Sequence, residues 1–127
     1  ESKDDTIRIV NSFEYHDVKK LNITNNDYTP GKSLNMGISK ASGDYVIILS
    51  AHCQITSLNL KELVSKLEQD SVTEVLRENP FDEKYAGKED RYWAIDMINS
   101  GNNILYDSNS VVNHFYTKNG ATWKGVG

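Results

Sequence analysis

Apolar and polar positions change their period several times along this chain, and each change marks an element. Thr6-Ile7-Arg8-Ile9-Val10 alternates in a β-branched run and predicts a strand, as does Leu21-Asn22-Ile23-Thr24. Asn25-Asn26-Asp27-Tyr28-Thr29-Pro30-Gly31 is polar and punctuated by Pro and Gly, so it predicts a loop. Leu34, Ile38 and Ala41 then fall at i, i+4, i+7 and predict a helix, ended by the glycine of Ser42-Gly43-Asp44. Tyr45-Val46-Ile47-Ile48-Leu49 is apolar without interruption, the pattern of a strand covered on both faces, and predicts the central strand of a sheet.

Ser50-Ala51-His52-Cys53 lies just past the carboxyl end of that strand, where open α/β sheets bind ligands. Asn59 and Glu62 make a variant capping box for a helix whose buried stripe is Leu60, Leu63, Val64 and Leu67. Between Asp70 and Tyr85 the pattern offers one weak apolar cluster, Val75-Leu76, before Pro80 interrupts regular structure. The acidic pair Glu89-Asp90 opens the next helix, with Trp93, Ala94, Met97 and Ile98 as its core face and Gly101 as its stop. Two short strands follow, Ile104-Leu105-Tyr106 and Val111-Val112, with His114 just after the second. This alternation predicts an α/β domain.

Composition narrows what such a domain can do. At 127 residues the chain supports one domain with a modest core. The net charge is −4, and no run of Lys or Arg exceeds two residues, so a groove tracking nucleic-acid phosphates has no compositional support. No stretch approaches the roughly 18 apolar residues of a membrane span, and no basic-then-apolar leader opens the sequence. The single cysteine, Cys53, cannot close an internal disulfide, which fits a reducing compartment. The sequon Asn22-Ile23-Thr24 matters only in a secreted eukaryotic protein.

Four stretches, in this order and spacing, resemble the family-2 glycosyltransferases of the GT-A fold. They are Asp4-Asp5-Thr6; Gly31-Lys32-Ser33-Leu34-Asn35-Met36-Gly37-Ile38; Ala41 to Leu49 running into Ser50-Ala51-His52; and Pro80-Phe81-Asp82-Glu83 leading to Gly87-Lys88-Glu89-Asp90. A fifth, Val111-Val112-Asn113-His114, is similar to the family's histidine after its last core strand. The resemblance runs from about residue 4 to 116. It implies a Rossmann-like mixed sheet flanked by helices, binding a nucleotide-diphosphate sugar. The family's opening strand, which recognises the nucleotide base, is not found ahead of Glu1, and the 36 positions from Cys53 to Glu89 are fewer than the family places there. A single domain over residues 1–127 is therefore expected to lack its first strand, and a segment near 70–80 to be trimmed or left out.

The resemblance also implies roles for individual residues. Asp90 matches the base that removes the acceptor's hydroxyl proton, and Glu89 supports it; the plainer reading is that two carboxylates sit at a helix N-terminus, where negative charge is favoured. Ser50 and His52 take the places of the two carboxylates of the family's Asp-x-Asp, which hold Mg²⁺ or Mn²⁺ against the donor's diphosphate. The divalent cation implied by the family is therefore held differently or more weakly here, since Mg²⁺ prefers oxygen ligands. His52 and His114 are the expected metal or phosphate contacts. Cys53 could join His52 on zinc, but with no second cysteine a structural tetrahedral site is short of ligands. Lys32 and Asn35 open the helix after Pro30-Gly31 and are expected to face the donor's phosphate or base, against the alternatives of a solvated lysine and an asparagine that ties the helix to the central strand. Trp93 could stack on a sugar, although its alignment with Ala94, Met97 and Ile98 favours core packing.

By resemblance, the chain is expected to be a hexosyltransferase-type enzyme. It would move a sugar from a nucleotide-sugar donor to a saccharide or lipid-linked acceptor with inversion, in polysaccharide or surface-glycan assembly. It would work in the cytoplasm, at the inner face of the membrane bearing its acceptor and in peripheral association with it. Two other classes remain open. One is a catalytically degenerate GT-A-like binding module, favoured by the missing carboxylates; the other is a metal-assisted hydrolase using His52, His114 and Asp90, which lacks any spaced ligand motif. The donor sugar, linkage and oligomeric state are not set by the sequence.

Overall fold

Three of the expected helices form, although α2 begins at Pro30, inside the stretch expected to be loop, and ends at Lys40 with Ala41 as its cap, short of the expected stop at Gly43. The computed structural model describes residues 5–13, 18–69, 75–117 and 120–121. Helix α2, Pro30–Lys40, starts because Thr29 Oγ1 accepts the Lys32 backbone N–H at 3.2 Å and Pro30 fills the first position, where no N–H is needed. Helix α3, Leu60–Gln69, begins with a reciprocal box, in which the Glu62 N–H donates to Asn59 Oδ1 at 3.3 Å while Asn59 Nδ2 donates to Glu62 Oε2 at 3.4 Å. Helix α5, Glu89–Asn99, ends in a Schellman turn: Asn102 N–H reaches Met97 O at 2.9 Å and Gly101 N–H reaches Ile98 O at 3.0 Å. Gly101 takes the left-handed φ of 87° that this turn requires.

The strands depart from expectation. Thr6–Val10 is not a strand; Thr6–Ser12 forms helix α1. A strand needs a hydrogen-bonded neighbour, and none among the described residues pairs with this segment. Local bonds take over instead, with Ile9 N–H to Asp5 O at 2.8 Å and an Arg8–Asp5 ion pair at 3.1 Å. Tyr45–Leu49 is likewise no central strand. It joins no ladder among the described residues, and Tyr45, Ile47, Ile48 and Leu49 are 42–59% exposed, so its faces are not covered as those of a central strand are. Leu21–Thr24 runs into a turn closed by Asp27 N–H to Thr24 O at 3.0 Å, and Ile104–Tyr106 is irregular.

The ladder that does form joins β1, Cys53–Ser57, to β2, Val111–His114, antiparallel and with a register shift between Ile55 and Ser57. Strand β2 was expected at Val111-Val112; β1 was not foreseen. A short helix α4 spans Val75–Glu78, and a minor hairpin pairs β3, Tyr116–Thr117, with β4, Gly120–Ala121. Asp4 and residues 70–74, which bear on the first motif and on the segment expected to be trimmed, lie outside the described residues.

The chain clusters into two units, Glu1–Ser42 with Leu76–Trp93 and Gly43–Val75 with Ala94–Gly127. In the first, Ile38 of α2 and Phe81 are each 5% exposed and form the core. Trp93 packs beside Phe81 with ring centroids 5.6 Å apart, and its indole N–H donates to Asn79 O at 2.6 Å, the role in packing that its helical spacing favours. In the second unit Met97 is buried, while the α3 stripe is shallower than expected: Leu63, Val64 and Leu67 are half-buried and Leu60 is exposed. An ionic network anchors α3 there, since Lys66 Nζ lies 2.8 Å from Glu62 Oε1 and 2.9 Å from Asp107 Oδ1.

Candidate functional site

In the first unit the acidic pair opens α5, as its position after Gly87-Lys88 suggests. Lys88 takes a left-handed φ of 63°, a cost for a residue with a side chain, and its carbonyl accepts the Tyr92 N–H at 3.1 Å to start the helix. The turn thereby sets Asp90 on the exposed side of the first helical turn. Asp90 Oδ1 accepts the Arg91 N–H at 2.8 Å, fixing the carboxylate beside the helix start. Glu89 is half-buried, and its Oε2 is shielded from water without a hydrogen-bond partner among the described residues. The partial positive charge of the helix end favours both carboxylates.

Lys32 and Asn35 occupy the first turns of α2. Lys32 Nζ is 3.6 Å from Asp27 Oδ1, and the Asp27 carboxyl is held below its ordinary range, first by the Thr24 hydroxyl and then by the Lys32 charge. Asn35 exchanges two hydrogen bonds with one residue: its Nδ2 donates to Phe81 O at 2.9 Å, and its Oδ1 accepts the Phe81 N–H at 2.9 Å. A third bond runs from Nδ2 to Glu83 Oε1 at 3.0 Å. Asn35 thus ties α2 to the Pro80–Glu83 turn, in place of the central strand suggested by the sequence.

In the second unit, Ser50 is exposed and its carbonyl accepts the Cys53 N–H at 2.9 Å, closing a tight turn through Ala51 and His52. The turn delivers the chain into β1, where Cys53 stands directly opposite His114 in the register. Residues opposite each other in an antiparallel pair project to one face, with Cβ atoms about 4.5–5.5 Å apart. His52 O accepts the Phe115 N–H at 3.1 Å, extending the ladder by one bond, and the His52 and His114 rings meet edge to face with centroids 4.5 Å apart at 74°. The ligand atoms of His52, Cys53 and His114 all lie within 4.8 Å of one another. The sequence named His52 and His114 together as metal or phosphate contacts and weighed Cys53 beside His52; the structure brings all three together through a Cys53–His114 register that no local signal could reveal.

These donors decide which ions suit the place. Two imidazoles and a thiol form a borderline-to-soft set with no carboxylate in the group, whereas Mg²⁺ requires hard oxygen ligands and Mn²⁺ favours them. The three donors therefore do not fit the hard cation that the resemblance implies.

No curated protein and no solved structure matches the chain. The model of the family described as glycosyl transferase family 2 matches residues 1–118, nearly the whole sequence, and its domain has the GT-A fold. By that match, the chain belongs to glycosyl transferase family 2.

Proposed function

We propose that this chain transfers a sugar from a nucleotide-diphosphate donor to a hydroxyl of a saccharide or lipid-linked acceptor, with inversion at the anomeric carbon. Family membership supports glycosyl transfer in general, with a donor and an acceptor as substrates. The observation that carries the finer reading is the exposed Asp90 carboxylate, fixed at the start of α5 within the matched region.

In this reading Asp90 takes the acceptor's hydroxyl proton as that oxygen forms its bond to the anomeric carbon. The bond from that carbon to the diphosphate oxygen breaks on the opposite face, and the electron pair leaves with the nucleotide diphosphate. Glu89 supports the base by keeping a second carboxylate beside it. Lys32 supplies positive charge for a phosphate and Asn35 shapes the start of α2; Ser50, His52 and His114 are the residues that the family resemblance implies for donor or metal contact. Fixed charges and dipoles of this kind supply the largest share of rate in many such reactions. The hexosyl character of the donor, a role in polysaccharide or surface-glycan assembly, and cytoplasmic work beside the acceptor's membrane belong to the same reading. No helix among the described residues is long and apolar enough to cross a membrane.

A panel of nucleotide sugars and saccharide acceptors, assayed with the full chain and with Asp90→Asn, tests this reading. Transfer by the parent chain that is lost in the variant supports it. Absence of turnover with every donor, in protein shown to be folded, overturns it in favour of a binding module.

A further inference from the structure

The turn at Ser50–Cys53 and the end of the β1–β2 ladder assemble three side chains whose shared chemistry goes beyond sugar transfer. We propose that His52, Cys53 and His114 form a site for a borderline divalent d-block ion of the zinc class, in place of the hard cation of the family.

Three independent features of the backbone put the donors together. The register sets Cys53 directly across from His114, so their side chains leave one face of the ladder. The bond from Cys53 N–H to Ser50 O, 2.9 Å long, folds the preceding residues back so that His52 meets His114 ring to ring at 4.5 Å. The bond from Phe115 N–H to His52 O, 3.1 Å, locks the two chain segments together just outside the ladder.

The spacing is close to what a small ion needs. Around zinc, with bonds of about 2.0–2.3 Å, tetrahedrally arranged ligand atoms stand on the order of 3.3–3.8 Å apart. The three ligand atoms here lie within 4.8 Å of one another, within about 1–1.5 Å of that spacing. His52 and Cys53 are half-buried and His114 is exposed, which leaves an entry path from solvent.

Ligand chemistry then selects the ion. Imidazole and thiolate rank zinc, cobalt and their neighbours far above Mg²⁺ and Mn²⁺, and binding releases the Cys53 thiol proton to solvent. Three protein ligands are also one short of a closed structural site. That count is the pattern of zinc sites that keep a position for an outside oxygen ligand. Identifying that ligand as the donor's diphosphate rests on the glycosyl-transfer reading; the site itself does not.

Cobalt is the probe, because its spectrum reports both geometry and thiolate bonding. Titrating Co²⁺ into the reduced full chain without oxygen is expected to saturate at one equivalent. It should give a thiolate-to-cobalt charge-transfer band and the intense visible bands of four-coordination. Zn²⁺ displaces the cobalt and a large excess of Mg²⁺ does not. Cys53→Ser removes the charge-transfer band, and His114→Asn weakens Co²⁺ binding by at least about tenfold, since even loss of a partner behind a ligand costs 10–100-fold. A weak spectrum of six-coordinate cobalt, a spectrum unchanged in Cys53→Ser, or displacement by Mg²⁺ overturns the proposal. Should either variant fail to fold, the competition of Zn²⁺ and Mg²⁺ on the parent chain decides. Metal binding without any sugar transfer leaves this site standing and removes the transfer reading, and transfer by a chain that binds no cobalt does the reverse.

Discussion

Asn35 and Phe81, 46 residues apart in sequence, exchange both of their complementary hydrogen bonds at 2.9 Å, so that a side-chain amide stands where a strand neighbour's backbone would. Phe81 is 5% exposed, so water does not replace a lost partner there. Asn35→Ala leaves a buried N–H and C=O unpaired and is expected to cost about 1–3 kcal/mol. The urea midpoint measures it; an unchanged midpoint would show that the clamp adds nothing.

Gly31 and Gly37 lie in the same helix and should respond in opposite senses. A Cβ on Gly31 would stand 3.0 Å from Asp82 O and 3.4 Å from Phe81 Cβ, against a turn that Asn35 holds in place. A Cβ on Gly37 would meet nothing within 4 Å. Gly37→Ala is expected to stabilise by up to about 1 kcal/mol through helix propensity. Gly31→Ala, with a similar gain set against an overpacking cost of about 1–3 kcal/mol, is expected to be neutral to destabilising by up to about 2 kcal/mol. Thermal unfolding of the two variants side by side reads the ordering.

The α3 network makes stability depend on acid. The Asp107 carboxyl is held below its ordinary range by the Ser110 hydroxyl and then by Lys66, and the Glu62 carboxyl is lowered by its bond to Lys66. Both groups bind protons more weakly when folded, so the unfolded chain holds more protons in acid and stability rises with pH. The contribution is complete above the unfolded carboxylate values of about 4 and is lost as pH falls through the lower folded values. Asp107→Asn should flatten the acid limb of a stability–pH curve; a limb of unchanged slope would remove Asp107 from it.

For catalysis the sharpest test is Asp90. It is exposed, and among the described residues its carboxylate bonds only to the adjacent Arg91 N–H, so Asp90→Asn should leave the unfolding midpoint nearly unchanged. As the base it should lower the transfer rate by about 10²–10⁴-fold. Glu89→Gln should lower it less. A fall in stability that tracks the fall in rate would assign Asp90 to the fold instead.

The helices were legible because their signals are local. The Asn59 and Glu62 pair starts α3 and Gly101 ends α5, each acting within four residues of its own position, whereas the Thr29-Pro30 start of α2 was read as loop. The strands at Thr6–Val10 and Tyr45–Leu49 were misread because a β-branched or apolar run states what a strand could be, and pairing alone makes it one. Among the candidate site residues, the helix-start position of Asp90 was legible from its place after Gly87-Lys88. The nearness of Cys53 to His114 was not, because that relation spans 61 positions and is set by ladder register.

The sequence by itself determined the presence of α2, α3 and α5, the acidic charge balance, the family and the placement of Glu89-Asp90 at a helix start. Those follow from capping, composition and motif order, which are written in neighbouring residues. Only the tertiary structure decided that Asn35 clamps Phe81 and that His52, Cys53 and His114 gather their donor atoms within 4.8 Å. Such relations depend on which distant backbone segments bond to each other, and no local period along the chain encodes that choice.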